Sequence, residues 1–206
     1  MRERLLIFIL FLCVYKPAAA QSLKSSILIS ANFSYDRDRT EVVFQTGSEE
    51  VINKTLTLQP KIGYFILSRL CAGVYVPYTR AVFEGDVLNY NNVKETDQSY
   101  GIGPFIRYYQ PIVTNFYGIA QAGFSWEKQI NERYIFPIGK VEERVTQKYS
   151  LIGVGLSYFV THSLAVEMML DFREQLTDDS GDPPYSYYDE TIFTLGFQIY
   201  LGKDIK

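Results

Sequence analysis

The residues from Thr191 to Leu201 alternate between apolar and polar side chains, and no other feature limits the fold of this chain as strongly. The apolar face carries Phe193, Leu195, Phe197, Ile199 and Leu201. The opposite face carries Thr194, Gly196, Gln198 and Tyr200. A period of two residues predicts a β-strand with one apolar face, which must meet either a protein core or lipid.

Seven further stretches alternate in the same way, and no stretch shows a sustained helical period. Together they give eight candidate strands, at 25–36, 55–67, 70–80, 99–109, 116–127, 149–159, 163–174 and 191–201. We therefore predict an all-β chain. The last strand must pair with the first if the sheet is to close and leave no open edges.

The connections between these strands alternate in length. Short links lie around 68–69, 110–115 and 160–162. Long links, predicted to be exposed loops, run through 37–54, 84–98, 128–148 and 175–190. Short turns at one end and long loops at the other are typical of transmembrane barrels with an even strand number. This pattern predicts an eight-stranded antiparallel up-and-down transmembrane β-barrel, with its short turns and both termini on the periplasmic side.

A soluble eight-stranded barrel or sandwich is the competing interpretation, because it would turn the apolar face inward. Glycines favour the membrane barrel, because small residues on the polar face make room inside a narrow barrel. They are Gly63, Gly101, Gly103, Gly123, Gly153, Gly155 and Gly196. Outward aromatic residues form two candidate girdles: Tyr64, Tyr108, Phe116 and Tyr158 near the short turns, and Tyr35, Trp126, Phe172 and Phe193 near the long loops. Phe116 and Trp126 are separated by about 25 Å of height, which matches the apolar band of such barrels.

The first 20 residues resemble a signal peptide, with a basic start, an apolar run and three alanines before a cleavage site between Ala20 and Gln21. A membrane anchor is the alternative, but the apolar run is too short to cross a hydrocarbon core of about 30 Å as a helix. A lipoprotein signal at Cys13 is a further alternative, disfavoured by the bulky residues before that cysteine. We expect the protein to be exported, leaving 21–206 as one barrel domain.

Charge and cysteine content narrow the functional classes. The chain has a formal net charge of −3, and no basic patch predicts nucleic-acid binding. Removal of the signal segment leaves Cys71 as the one cysteine, so the sequence predicts neither an intramolecular disulfide nor a cysteine-based metal cluster. We expect no cofactor.

The chain resembles the small eight-stranded outer-membrane barrels of Gram-negative bacteria, of the OmpX and OmpA-transmembrane-domain type. The resemblance covers essentially all of the mature chain. Its most specific part is the C-terminal assembly signal, which Thr194, Gly196, Ile199 and Leu201 match in spacing. The family usually ends on an aromatic residue where this chain has Leu201 followed by a GKDIK tail. The resemblance implies residence in the outer-membrane lipid and recognition by the barrel-assembly machinery.

In such a barrel the polar face lines the interior. Lys61, Arg107, Glu167, Asp171 and Arg173 are predicted to point into the lumen, joined by Glu127. Since buried charges must be paired, an internal salt-bridge network is the first interpretation, and a narrow path for ions is the second. Bulky residues on the same face, Phe65, Tyr75, Phe105 and Tyr109, argue against a wide pore.

A lipid-modifying enzyme is the alternative of a different class. It would need a nucleophile beside a base, yet the one histidine, His162, lies in a predicted turn beside Ser163. We expect no enzymatic activity. The acidic run 178–182 lacks the full spacing of a calcium-binding loop. The tyrosine-rich segment 185–188 could contact an extracellular partner, and 128–148 could form a hairpin that binds a protein by strand addition. The sequence thus favours a structural or surface-interaction role.

Overall fold

The computed structural model describes residues 23–44, 47–87, 90–135, 139–178 and 189–202. The expected signal segment, including Ala20 and Gln21, lies outside the described residues, as does most of the acidic and tyrosine-rich segment 179–188. The described residues contain no helix with the length and apolar character needed to span a membrane.

Nine strand segments follow one another along the described part of the chain. They are β1 (Ile27–Phe44), β2 (Gly47–Leu67), β3 (Leu70–Tyr75), β4 (Tyr78–Val87), β5 (Tyr90–Val113), β6 (Phe116–Ile135), β7 (Gly139–Phe159), β8 (Leu164–Asp178) and β9 (Asp189–Leu201). All pairings between them are antiparallel. The fold is therefore all-β, as the alternation predicts.

The predicted third strand, 70–80, is interrupted and forms β3 and β4. Its register against β2 does not change across the break, because Lys61 pairs with Tyr75 and Leu58 pairs with Tyr78. Pro60 lies on β2 and Pro77 lies in the break between β3 and β4, and neither has a backbone N–H to donate to the ladder. The ladder therefore has fewer hydrogen bonds at this point, although the N–H of Val76 still donates to the carbonyl of Pro60 at 2.9 Å. β3 and β4 occupy one strand position in the barrel wall. The barrel therefore has eight strand positions, which we call staves.

The sheet closes on itself because β1 pairs with both β2 and β9. The predicted closing seam is confirmed: Ile27 pairs with Leu201, and the pairing continues to Phe33 and Leu195. Following paired residues once round the ring gives Gln110, Gly118, Leu156, Met168, Leu195, Phe33, Leu58, Tyr78 and Tyr100. The path returns to β5 ten residues from its start, and this stagger requires the strands to tilt by roughly 40° from the barrel axis.

Three of the four segments predicted as long loops are largely strand, so that part of the prediction is wrong, whereas the hairpin expected at 128–148 is confirmed. β1 and β2 extend through 37–44 and 47–54, β4 and β5 through 84–87 and 90–98, and β6 and β7 through 128–135 and 139–148. In the fourth segment, β8 reaches Asp178 and β9 begins at Asp189. The upper part of β7 explains the error. Its side chains from 140 to 144 are exposed on both faces, so no apolar alternation marks it as a strand.

The two faces of the staves differ as predicted. Outward side chains form an exposed apolar wall, in which Ile152 is 64% exposed and Phe197 is 56% exposed. Inward side chains alternate with them and are buried. The inside of the barrel is therefore the core of the protein, and it contains the buried charged and polar side chains.

Candidate functional site: the closed interior of the barrel

Aromatic rings fill the end of the barrel that carries the short turns. The plug consists of Phe65, Tyr109, Tyr117, Phe159 and Tyr200, all buried. Tyr200 stacks on Phe159 with ring centroids 4.8 Å apart and lies 5.9 Å from Phe65. Leu23, just before β1, is 1% exposed and belongs to the same cluster. Contacts at these distances leave little room for solvent between the rings.

A hydrogen-bonded ion pair lies above the plug, between Arg107 of β5 and Glu167 of β8. Arg107 Nη1 donates to Glu167 Oε2 at 2.8 Å, and both side chains are fully buried. The other guanidinium donors reach Gln121 Oε1, from Nη2 at 2.5 Å and from Nε at 3.0 Å. Gln198 Nε2 donates to the same Glu167 oxygen. Since nearly every donor of the guanidinium has a partner, this charge is held in place from several strands at once.

Tyr109 and Tyr200 connect the ion pair to the plug. Arg107 Nη1 donates to the Tyr109 hydroxyl at 3.3 Å, and Gln198 Nε2 also donates to that hydroxyl, at 3.2 Å. The Tyr200 hydroxyl donates to Gln198 Oε1. The two layers therefore form one polar and aromatic unit across the lower half of the lumen.

A second ion-paired layer lies near the other end of the barrel, around Arg173 of β8. Arg173 Nη2 donates to Glu127 Oε1 at 2.6 Å, and Nη1 donates to Glu190 Oε2 at 3.1 Å. The guanidinium carbon lies 4.4 Å from the centroid of the Tyr149 ring. Ser125 donates to Glu127 at 2.6 Å. Arg173 thus links β8 to β6, β7 and β9 inside the barrel.

Asp171 lies between the two ion-paired layers and is fully buried, yet no side chain in the described part of the barrel donates a hydrogen bond to either of its carboxylate oxygens. Lys61 is the cation of the intervening region, and its Nζ donates to Gln121 Oε1 at 3.3 Å. Gly153 pairs with Asp171 across β7 and β8. A Cβ added to Gly153 would lie 2.1 Å from Asp171 Oδ1, so this glycine makes space for the carboxylate.

The structure places the five residues of the predicted charge network, Lys61, Arg107, Glu167, Asp171 and Arg173, inside the barrel, each at most 6% exposed. It brings them together as two separate ion-paired layers, with Lys61 and Asp171 between. The pairing through Gln121 and Gln198, and the participation of Glu190, are absent from the sequence prediction. Alternation marks both glutamines as inward, but only the stagger of the strands determines which strands face each other across the lumen.

Other predicted residues lie at the wall or at the short-turn end. The girdle residues Tyr35, Tyr64, Tyr108, Trp126, Tyr158, Phe172 and Phe193 are between 40% and 62% exposed on the outer wall, and Phe116 is half-buried against Tyr158. In the assembly signal, Thr194 is buried and accepts a hydrogen bond from Asn32 Nδ2 at 3.3 Å, Gly196 pairs with Asn32, and Ile199 and Leu201 face outward. His162 is exposed in the turn between β7 and β8.

Among the described residues, no group of three or more His, Cys, Asp or Glu side chains is arranged to hold a metal ion. A groove of about 370 Å³ lies on the outer wall rather than in the lumen. Its apolar lining includes Ile29, Ala31, Pro60, Val74 and Phe197.

The fold is similar to that of solved bacterial barrels. Neisserial surface protein A, NspA, superposes with a TM-score of 0.51 at 13% sequence identity, over 85% of this chain and 99% of that one. The chain has the fold of a small outer-membrane β-barrel. The resemblance drawn from the sequence is therefore confirmed at the level of the fold.

Two further structures align over nearly their whole length at lower scores. Ail, the attachment invasion locus protein of Yersinia pestis, gives a TM-score of 0.46 at 15% identity, over 86% of this chain and 99% of that one. The N-terminal β-barrel domain of Pseudomonas aeruginosa OprF gives 0.41 at 18% identity, over 86% and 98%. No protein-family model and no curated protein sequence matches the chain.

Proposed function

We propose that this protein is a closed, non-enzymatic barrel of the bacterial outer membrane that presents β-hairpins at the cell surface. The observation that carries the proposal is the filled interior. The aromatic plug closes one end, and Arg107 and Arg173 form two buried ion-paired layers in the lumen above it. A barrel filled in this way offers no continuous path for solute. Any interaction with other molecules must therefore use residues on its surface.

The hairpins are the parts of the surface best placed for contact. β6 continues for nine residues beyond Trp126, to Ile135, and this corresponds to about 22 Å above the upper girdle. Ion pairs brace these ribbons, including Glu95 with Arg133 at 2.7 Å and Glu132 with Lys140 at 2.8 Å. Paired hairpins hold their side chains more firmly than unstructured loops do. This favours a structural or surface-interaction role for the protein.

Single-channel recording of the reconstituted protein tests the closed interior. We expect no discrete openings in a planar bilayer, with a known porin in the same bilayer as the positive control. Regular openings of constant size would instead support the narrow ion channel.

Cysteine labelling on intact cells tests the surface hairpins. Cys71 is fully buried, so an introduced cysteine would be the reactive thiol of the folded barrel. We expect a membrane-impermeant maleimide to label Lys140→Cys at the hairpin and not Ser68→Cys at a short turn. Labelling of Ser68→Cys alone would reverse the orientation, and labelling of neither would argue against surface display.

A further inference from the structure

The outer wall carries basic side chains just above the upper aromatic girdle. On β1, Arg37 follows the girdle residue Tyr35 by two positions, and on β6 Lys128 follows Trp126 by two. The register adds three more: Lys54 pairs with Arg37, Lys148 pairs with Trp126, and Arg80 pairs with the outward-facing Leu56. We call the complete set the basic arc: Arg37, Lys54, Arg80, Lys128 and Lys148.

The basic arc lies at the height where lipid headgroups begin. Two residues along a strand tilted by roughly 40° correspond to about 5 Å of height. Aromatic girdles mark the boundary of the hydrocarbon core, and the headgroup region occupies about the next 5–7 Å. Arg37, Arg80 and Lys148 are exposed, and Lys54 and Lys128 are half-buried. Five of the eight staves therefore present a cation outward at this height.

The charge is directed toward lipid rather than toward the barrel axis. The inward neighbour of Arg37 is acidic, Asp36, and the half-buried inward Asp97 of β5 adds another carboxyl group. On the remaining staves, the corresponding outward positions hold Tyr100, Glu174 and Thr191. A merely solvated surface would mix the two signs on both faces. Here the positive charge lies on β1, β2 and β4 and again on β6 and β7, with Tyr100 of β5 between the two groups and a wider gap at β8 and β9.

The apolar groove lies on the same side of the barrel, deeper in the membrane. Three of its residues lie six positions from a basic-arc residue of the same stave: Ala31 from Arg37, Pro60 from Lys54, and Val74 from Arg80. Six positions correspond to about 15 Å of height at the strand tilt. Small side chains and the larger Phe197 together line a depression that can hold a hydrocarbon chain.

We propose that the basic arc binds lipid headgroups of the surrounding leaflet that carry a net negative charge on phosphate, with an acyl chain of the bound lipid in the groove. Cations near an anionic membrane surface attract its phosphates, and an arginine can bind two phosphate oxygens at once. The inference rests on the proposed placement in a membrane, because it needs the girdle at the edge of the hydrocarbon. It adds a lipid preference that a barrel in a membrane need not have.

Spin-label electron paramagnetic resonance of the full-length protein in phosphatidylcholine bilayers tests the proposal. The probes are spin-labelled phosphatidic acid and spin-labelled phosphatidylcholine. We expect the parent protein to immobilise the phosphatidic acid several-fold more strongly, with the preference falling as salt is raised. The variant Arg37→Gln/Lys54→Gln/Arg80→Gln should remove most of this preference, since each basic residue near such a surface contributes separately.

The matched control is Arg133→Gln/Lys140→Gln/Arg144→Gln, which removes three positive charges from the hairpins above the membrane. It should keep the parent's preference. Equal immobilisation of both probes by the parent, or an equal loss in the two triple variants, would overturn the proposal. Failure of membrane placement would look different, because neither probe would then show an immobilised fraction. Heat-modifiable mobility on gels verifies that each variant is folded.

Discussion

Removal of the Glu167 carboxylate tests whether the buried ion pair holds the barrel together. In Glu167→Ala, the Arg107 guanidinium loses the oxygen that lies 2.8 Å from its Nη1 and keeps its contacts to Gln121. Arginine cannot release its proton at accessible pH, so the charge stays buried without a counter-charge. Breaking one side of a buried pair costs about 3–5 kcal/mol of unfolding free energy.

Two further variants separate the charge from the packing. Glu167→Gln keeps an oxygen for Arg107 to bind but loses the negative charge, so we expect a smaller loss of about 1–3 kcal/mol. Arg107→Leu/Glu167→Leu removes both charges together. Replacement of a whole buried pair by apolar residues is often close to neutral. The double variant should therefore be more stable than Glu167→Ala, although it removes more hydrogen bonds.

Urea unfolding of the barrel in phospholipid vesicles measures these changes. Trp126 is the single tryptophan of the chain and is 48% exposed on the outer wall, so its fluorescence reports departure from the bilayer. Glu142→Ala, which breaks a surface pair with Arg144, is the matched control and should cost less than about 1 kcal/mol. Equal losses for Glu167→Ala and Glu142→Ala, or a double variant less stable than Glu167→Ala, would refute the reasoning.

Two other substitutions test the interior packing and the hairpins. Gly153→Ala should destabilise the barrel by about 1–3 kcal/mol, because its Cβ would lie 2.1 Å from Asp171 Oδ1. Gly118→Ala, where the nearest atom is 3.6 Å away, should have little effect in the same urea assay, and equal effects would contradict this account. Burial raises the pKa of the Asp97 carboxyl above its ordinary value of 3.8. The folded state therefore holds this proton to higher pH than the unfolded state does, and it loses stability as the pH rises from about that value. Asp97→Asn should therefore stabilise the protein at pH 7 and make its stability depend less on pH, as measured by hydrogen exchange of the β5 amides. A loss of protection at pH 7 in this variant would contradict the raised pKa of Asp97.

The alternation of single strands was sufficient to predict the architecture. It identified the outward faces, the inward charges and the closing pair of strands because a wall with lipid on one side demands a strict period of two. The same argument failed above the membrane. From Lys140 to Arg144 both faces meet water, so the polar pattern resembled that of a loop although the backbone continues as strand. Alternation therefore reports the solvent on each face rather than the backbone hydrogen bonds.

The pairs of side chains that meet across the lumen could not be predicted from the sequence, for a different reason. Arg107 and Glu167 are separated by 60 positions along the chain, and they meet because the strands are staggered by ten residues round the ring. The stagger depends on turn geometry and on how several strands pack at once, neither of which can be read from one strand. The interruption at Pro77 was missed as well, because two prolines on neighbouring staves matter only when the register brings them together.

The distribution of charge also argues against a permanent ion path. Among the described residues, the buried cations are Lys61, Arg107 and Arg173, and the buried anions are Glu127, Glu167 and Asp171. The two sets are equal in number and each guanidinium binds a carboxylate, so the interior can be neutral without a mobile counter-ion. The basic arc lies on the outer face of the barrel, away from these buried carboxylates. Counter-charges are thus supplied by the protein inside the barrel and, under our proposal, by the lipid outside it.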